Sequence, residues 1–192
     1  MRAIPLAAER RQGILATTVL TLRCTHDIRH RLGLGTAMPD PAPSTTVLGA
    51  WYLHLIRLGP NQIVMAISER SLLTVLLPAR DLRRTLAHNL RRSIRDLLVA
   101  LDIPLDAVHG EITSMNRVVY ANAVNRRVLG SINEIAYQLD AYEGNTSNPL
   151  ELALRLCETP IASVGSRSPY GTPRNIAREL LTLPYSGPIL HH

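Results

Sequence analysis

Apolar and polar positions alternate most clearly between Trp51 and Leu77. Trp51, Leu53, Leu55 and Arg57 alternate with Tyr52, His54, Ile56 and Leu58, and Gly59-Pro60-Asn61 follows; this pattern predicts a strand and a tight reversal. Ile63 to Ile67 gives the return strand, Ser68 to Ser71 turns again, and Leu72 to Leu77 runs up to Pro78. Three short strands joined by tight turns predict an antiparallel meander. The period then changes. Leu82, Leu86, Leu90, Ile94, Leu97 and Leu101 recur at helical spacing, which predicts one long helix over Asp81 to Leu101 with that row buried.

The flanking segments are shorter and noisier. Val19 to Cys24 reads as a first strand, and Thr25 as the cap of a short helix that reaches Leu32 and ends at Gly33 and Gly35. Thr36 to Thr46 carries Pro39, Pro41 and Pro43 without periodicity and reads as a loop. Leu105 to His109 reads as a helical turn, with a turn at Gly110. Val118 to Ala123 is β-branched and aromatic, so a strand is expected there. Ile132, Ile135, Ala136 and Leu139, with Tyr142 closing the row, predict a helix, and Ser131-Ile-Asn-Glu134 has the spacing of a capping box that would start it. Asn148-Pro149 predicts the start of a helix to about Cys157. Thr159 to Gly171 reads as loop, and Thr172-Pro173 opens a last helix to about Leu183. Together these predict a single α+β domain over residues 19–183. A small antiparallel sheet, the meander plus further strands, would pack against several helices, chiefly those starting at Asp81 and Ser131. Residues 1–18 are expected as a flexible extension and 184–192 as a disordered tail.

Several motifs occur in an order that resembles a family of small bacterial proteins classified as a domain of unknown function. They are Leu22-Arg-Cys-Thr25, Leu48-Gly-Ala-Trp-Tyr-Leu-His-Leu-Ile-Arg57, Leu76-Leu-Pro78, Asn125-Arg-Arg-Val-Leu-Gly-Ser-Ile-Asn-Glu134 and Thr159-Pro-Ile-Ala162. The resemblance spans about residues 21 to 182. This chain departs in having arginine where lysine is common, His54 where the family carries asparagine, and an added N-terminal segment. The resemblance implies a common fold and brings no activity, substrate or cofactor.

Composition narrows the chemistry. The formal net charge is +6, and all 21 basic residues are arginine, with no lysine anywhere. That removes Schiff-base chemistry and the lysine of phosphate loops and kinases. It also cautions against reading the charge as a nucleic-acid footprint, because a GC-rich genome favours arginine codons; a pI near 10.0 nevertheless means attraction to polyanions at low salt. Cys24 and Cys157 form no Cys-x-x-Cys pair, so buried free thiols in a reducing cytoplasm are expected. No apolar run is long enough to span a membrane.

Two polar groups stand out. Asn125, Arg126 and Arg127 crowd the entrance to the helix after the strand, and with Asn133 they are the candidate ligand- or partner-binding residues; the competing reading has them hold the backbone at that joint. Arg84, His88, Arg91 and Arg95 fall in a sector roughly 60° wide on the far side of the long helix. These are the candidate polyanion-binding residues, weighed against a plain solvated helix face. His26 and His30 have a spacing two metal ligands can use, but a solvated pair is expected, and no metal or cofactor set is legible. His109 and Glu111 could offer an acid and a base. The first functional expectation is a non-enzymatic, cytoplasmic binding protein whose partner is a protein, a second copy of the chain or a nucleic acid. The alternative is a small hydrolase- or nuclease-like enzyme built around Asn125 and Arg126.

Overall fold

In a computed structural model, which describes residues 18–36, 38, 40–41, 43–142, 148–162 and 170–182, five strands form one mixed sheet. They are β1 (Val19–Cys24), β2 (Trp51–Leu58), β3 (Asn61–Ser68), β4 (Thr74–Pro78) and β5 (Arg117–Asn122), in the order β4-β3-β2-β1-β5. The expected meander is present: β2 pairs antiparallel with β3, and β3 with β4. The two remaining pairings are parallel, β1 with β2 and β1 with β5. Parallel neighbours need long crossovers, which the sequence pattern did not reveal. The segment after β1 returns the chain to start β2 through helix α1 (His26–Leu32), and the segment after β4 passes through α2 (Leu82–Ala100) and α3 (Leu105–Thr113) before β5. The expected N-terminal extension, the C-terminal tail and the Ser163 to Ser168 stretch lie outside the described residues, apart from the extension's last residue.

Alternation along each strand sends side chains to two cores. One face presents Leu22, Trp51, Leu53, Val64 and Val75, and α2 buries Leu82, Leu86, Leu90, Ile94 and Leu97 in that core, with Leu101 just past its end, the row expected from sequence. The other face presents Tyr52, Met65, Ile67 and Leu76 to helix α4 (Arg126–Tyr142), through Val128, Ile132, Ile135 and Leu139. Each such buried aliphatic contributes on the order of 1.5–3 kcal/mol. Helix α5 (Pro149–Glu158) lies against β4 and divides its residues, Ala153 and Cys157 to the first core and Leu152 and Leu156 to the second. It therefore covers an edge strand that would otherwise offer unpaired main-chain groups. A two-residue strand pair, β6 (Ile161–Ala162) with β7 (Tyr170–Gly171), precedes helix α6 (Pro173–Thr182).

Several local expectations need correction. Ser131 does not start a helix: α4 begins at Arg126, and the Ser131 hydroxyl donates to the Arg127 carbonyl one turn back at 3.3 Å. The cap is Asn125, whose Oδ1 accepts from the Arg127 and Val128 N–H groups at 3.1 and 3.4 Å. It is the first cap-forming side chain with helix-compatible residues behind it, so it captures the role before Ser131 is reached; mid-helix, the serine bonds backward instead. The expected turn at Gly110 is also absent, since α3 runs through it to Thr113. Thr25 sits at the start of α1 but makes no side-chain cap bond, its hydroxyl donating to the Leu53 carbonyl at 3.1 Å. The Gly33 stop and the Asn148 cap, which accepts from the Leu150 N–H at 3.0 Å, are as expected.

Candidate functional site

At the junction of β5 and α4, Asn125 has little capacity left for a ligand. Besides capping α4, its amide donates to Glu69 Oε1 at 3.4 Å, and the Tyr52 hydroxyl donates to the same oxygen at 3.3 Å. Tyr52 is fully buried, and burial followed by the Glu69 charge pushes its phenol up to about 12. Arg126, Arg127 and Asn133 are exposed on α4. The junction thus unites Asn125, Glu69 and Tyr52 in a network that ties α4 to the sheet.

The structure also divides the row on α2. Arg95 donates through Nε and Nη2 to Asp96 Oδ1 at 3.2 and 3.0 Å. Arg91 is half-buried and donates to the Met115 carbonyl at 3.3 Å. Arg84 and His88 are exposed, and Arg84 makes no side-chain hydrogen bond or ion pair among the described residues. Positive charge is therefore least opposed at the first turn of α2.

That turn borders a cleft of about 1190 Å³ at one end of the sheet. Arg31 enters it from the last turn of α1, Arg57 from the end of β2 and Arg80 from the link between β4 and α2. A smaller cleft of about 390 Å³ shares Arg31, Ala79 and Asp81 with it and adds Arg83 and Arg84. Among the described residues, five arginines from four segments therefore meet one lining carboxylate, Asp81. Two of the five are held by the fold: Arg31 Nη1 donates to Gln62 Oε1 at 2.7 Å, and Arg83 Nε to the Arg31 carbonyl at 3.2 Å. Arg83 also lies over Gly33, where a Cβ would meet its guanidinium. Arg57 and Arg80 are exposed and make no side-chain hydrogen bond or ion pair among the described residues.

Asp81 adds a backbone peculiarity. It precedes α2 in the left-handed region, at φ 52°, and its side chain makes no cap bond. A non-glycine residue is uncommon there, and the positive end of α2 stays open to the cleft with the Asp81 carboxylate beside it. Arginine forks bind phosphate or carboxylate through paired donors. The arrangement can therefore hold an anion with more than one charged group.

The remaining candidates are structural or isolated. Glu111 is buried, and its carboxylate accepts from the Val47 and Leu48 N–H groups at 2.8 and 3.1 Å. Burial raises its pKa above the usual carboxylate value, those two bonds opposing the rise. His109 is exposed on α3. His26 and His30 are exposed, His26 contacts Asp27 at 3.2 Å, and the described residues contain no group of three or more metal-ligating side chains. His54 is half-buried, its Nδ1 has no hydrogen-bond partner, and burial lowers its pKa. Cys24 and Cys157 are free, buried thiols, each pushed up to about 12 chiefly by burial.

Of the five arginines around these clefts, the sequence pattern singles out Arg84 and does not single out Arg31, Arg57, Arg80 or Arg83. Each of these lies at or near the end of an element, Arg57 closing the alternating row of β2 and Arg83 in the first turn of α2, and the periodic pattern shows which face such a residue takes but not which distant segments it meets. Among the described residues no helix is long and apolar enough to cross a membrane. The model of a family described as Domain of unknown function (DUF6933) matches residues 21–176. No curated protein and no solved structure matches the chain.

Proposed function

The chain belongs to that family of unassigned function, and we propose from the site itself that it is a non-enzymatic binding protein for a nucleic-acid backbone. One observation carries the reading: Arg31, Arg57, Arg80, Arg83 and Arg84 converge from separate segments on adjoining clefts around the start of α2. Guanidinium forks suit phosphate, and a cluster opposed among the described residues by the Asp81 carboxylate alone suits a ligand with several of them. The sheet and both cores serve as the rigid frame on which these side chains are mounted. Cytoplasmic action fits the two free thiols.

An electrophoretic mobility shift across a salt series tests this. Binding is expected at about 50 mM salt, weakening steeply as salt rises because phosphate contacts release counterions. Arg31/Arg57/Arg80→Ala is expected to weaken it about 100-fold, or about 2.7 kcal/mol. Undiminished binding by that variant, or none by the native chain, overturns the proposal. An acidic polypeptide that binds the cleft as tightly as the oligonucleotide would point to a protein partner instead, and would equally overturn it.

A further inference from the structure

We infer, on the footing of the nucleic-acid reading, that the cleft takes an unpaired strand and not a duplex. Its shape and floor carry this. At about 1190 Å³ it exceeds the roughly 300–1,000 Å³ of ordinary small-molecule pockets, so a stretch of chain fills it better than one small ligand. Between the arginines the lining mixes the polar Asn61 and Gln62 with an apolar part, of which Leu58, Pro60 and Ile63 are accessible and Leu76 and Leu152 are buried beneath. A duplex shows a protein its phosphates, sugars and groove edges and keeps its base faces stacked inside. It would engage the arginines and leave that apolar lining against water. An unpaired nucleotide offers phosphate and a base face together.

Among the described residues no aromatic side chain lines this cleft, so base stacking falls to the guanidinium planes, which serve as platforms in single-strand recognition. Stacking of that kind tolerates any base; binding should therefore depend little on sequence. Asp81 opposes the phosphates. Its carboxylate stands beside the positive end of α2 without bonding to it, and repels phosphates toward Arg31, Arg57 and Arg80. Asn tolerates left-handed backbone as Asp does, so Asp81→Asn removes the charge without disturbing the turn.

Fluorescence anisotropy with a short single-stranded oligonucleotide and with the duplex of the same sequence, at about 50 mM salt, tests the inference on the full chain. The single strand is expected to bind at least about tenfold more tightly, with a log–log salt slope near −2 for about three phosphates. Leu58→Asn should weaken the single strand and leave the duplex unchanged, circular dichroism confirming the fold. Asp81→Asn should tighten the single strand by about threefold. Equal or tighter duplex binding, or a Leu58→Asn effect common to both, overturns the inference and leaves the backbone-binding reading standing. Absence of binding to either, or binding indifferent to Arg57/Arg80→Ala, overturns both.

Discussion

Two helices of this protein start behind a polar residue and carry a pair of arginines in the first turn, and the fold treats them in opposite ways. At the start of α4, Asn125 caps the helix, bonds Glu69 and joins the Tyr52 network. At the start of α2, Asp81 makes no side-chain cap bond, holds a left-handed backbone and faces a cleft edged by arginines. The first junction uses Asn125 in holding a helix to a sheet. The second leaves hydrogen-bonding capacity unspent. Residue type alone does not separate binding groups from structural ones; whether the fold has already satisfied them does.

Perturbations that separate consumed from unspent groups sharpen this contrast. The largest effect is expected at Glu111, another consumed carboxylate. Glu111→Ala strips the acceptor from the Val47 and Leu48 N–H groups and should cost about 3 kcal/mol in denaturant unfolding. Because burial raises this carboxyl's folded pKa, the folded state binds its proton more tightly than the unfolded chain does. Its contribution to stability is therefore fullest below the unfolded carboxylate pKa and is lost as pH rises through the raised folded value. The native protein should show that component of pH dependence and the Ala variant should lack it; equal pH profiles would refute the assignment.

Next comes a matched pair of double variants. Arg57/Arg80→Ala is expected to lower oligonucleotide affinity by tenfold or more, at least about 1.4 kcal/mol, and Arg126/Arg127→Ala by less than about twofold. Titration by anisotropy decides it, and a reversed order would exchange the roles of the two helix starts. Asn125→Ala should reduce unfolding free energy by about 1 kcal/mol, as loss of a cap does, with affinity unchanged. The smallest effect belongs to Arg95, already paired with Asp96. Arg95→Ala should shift stability by less than about 0.5 kcal/mol and binding by less than about twofold.

The same division explains what could be read in the chain. The buried row of α2, the meander, the Gly33 stop and the Asn148 cap are set by neighbours within a turn or two, where side-chain period and capping chemistry act directly. Ser131 misled because its capping-box spacing is genuine but Asn125 stands earlier on the same path. The parallel pairing of β1 was hidden because it depends on crossovers through α1, α2 and α3. The cleft was hidden for the same reason: Arg31, Arg57 and Arg80 meet only once the sheet has brought their segments to one end. Arg91 and Arg95 looked available because a helical projection shows neither the Met115 carbonyl nor the competition from Asp96.

Hydrogen–deuterium exchange of the full chain, with and without a saturating single-stranded oligonucleotide, compares both helix starts in one measurement. Protection confined to residues 57–63 and 78–85, with 124–133 unchanged, is the expected result. Protection at 124–133 with none around the start of α2 would contradict the account.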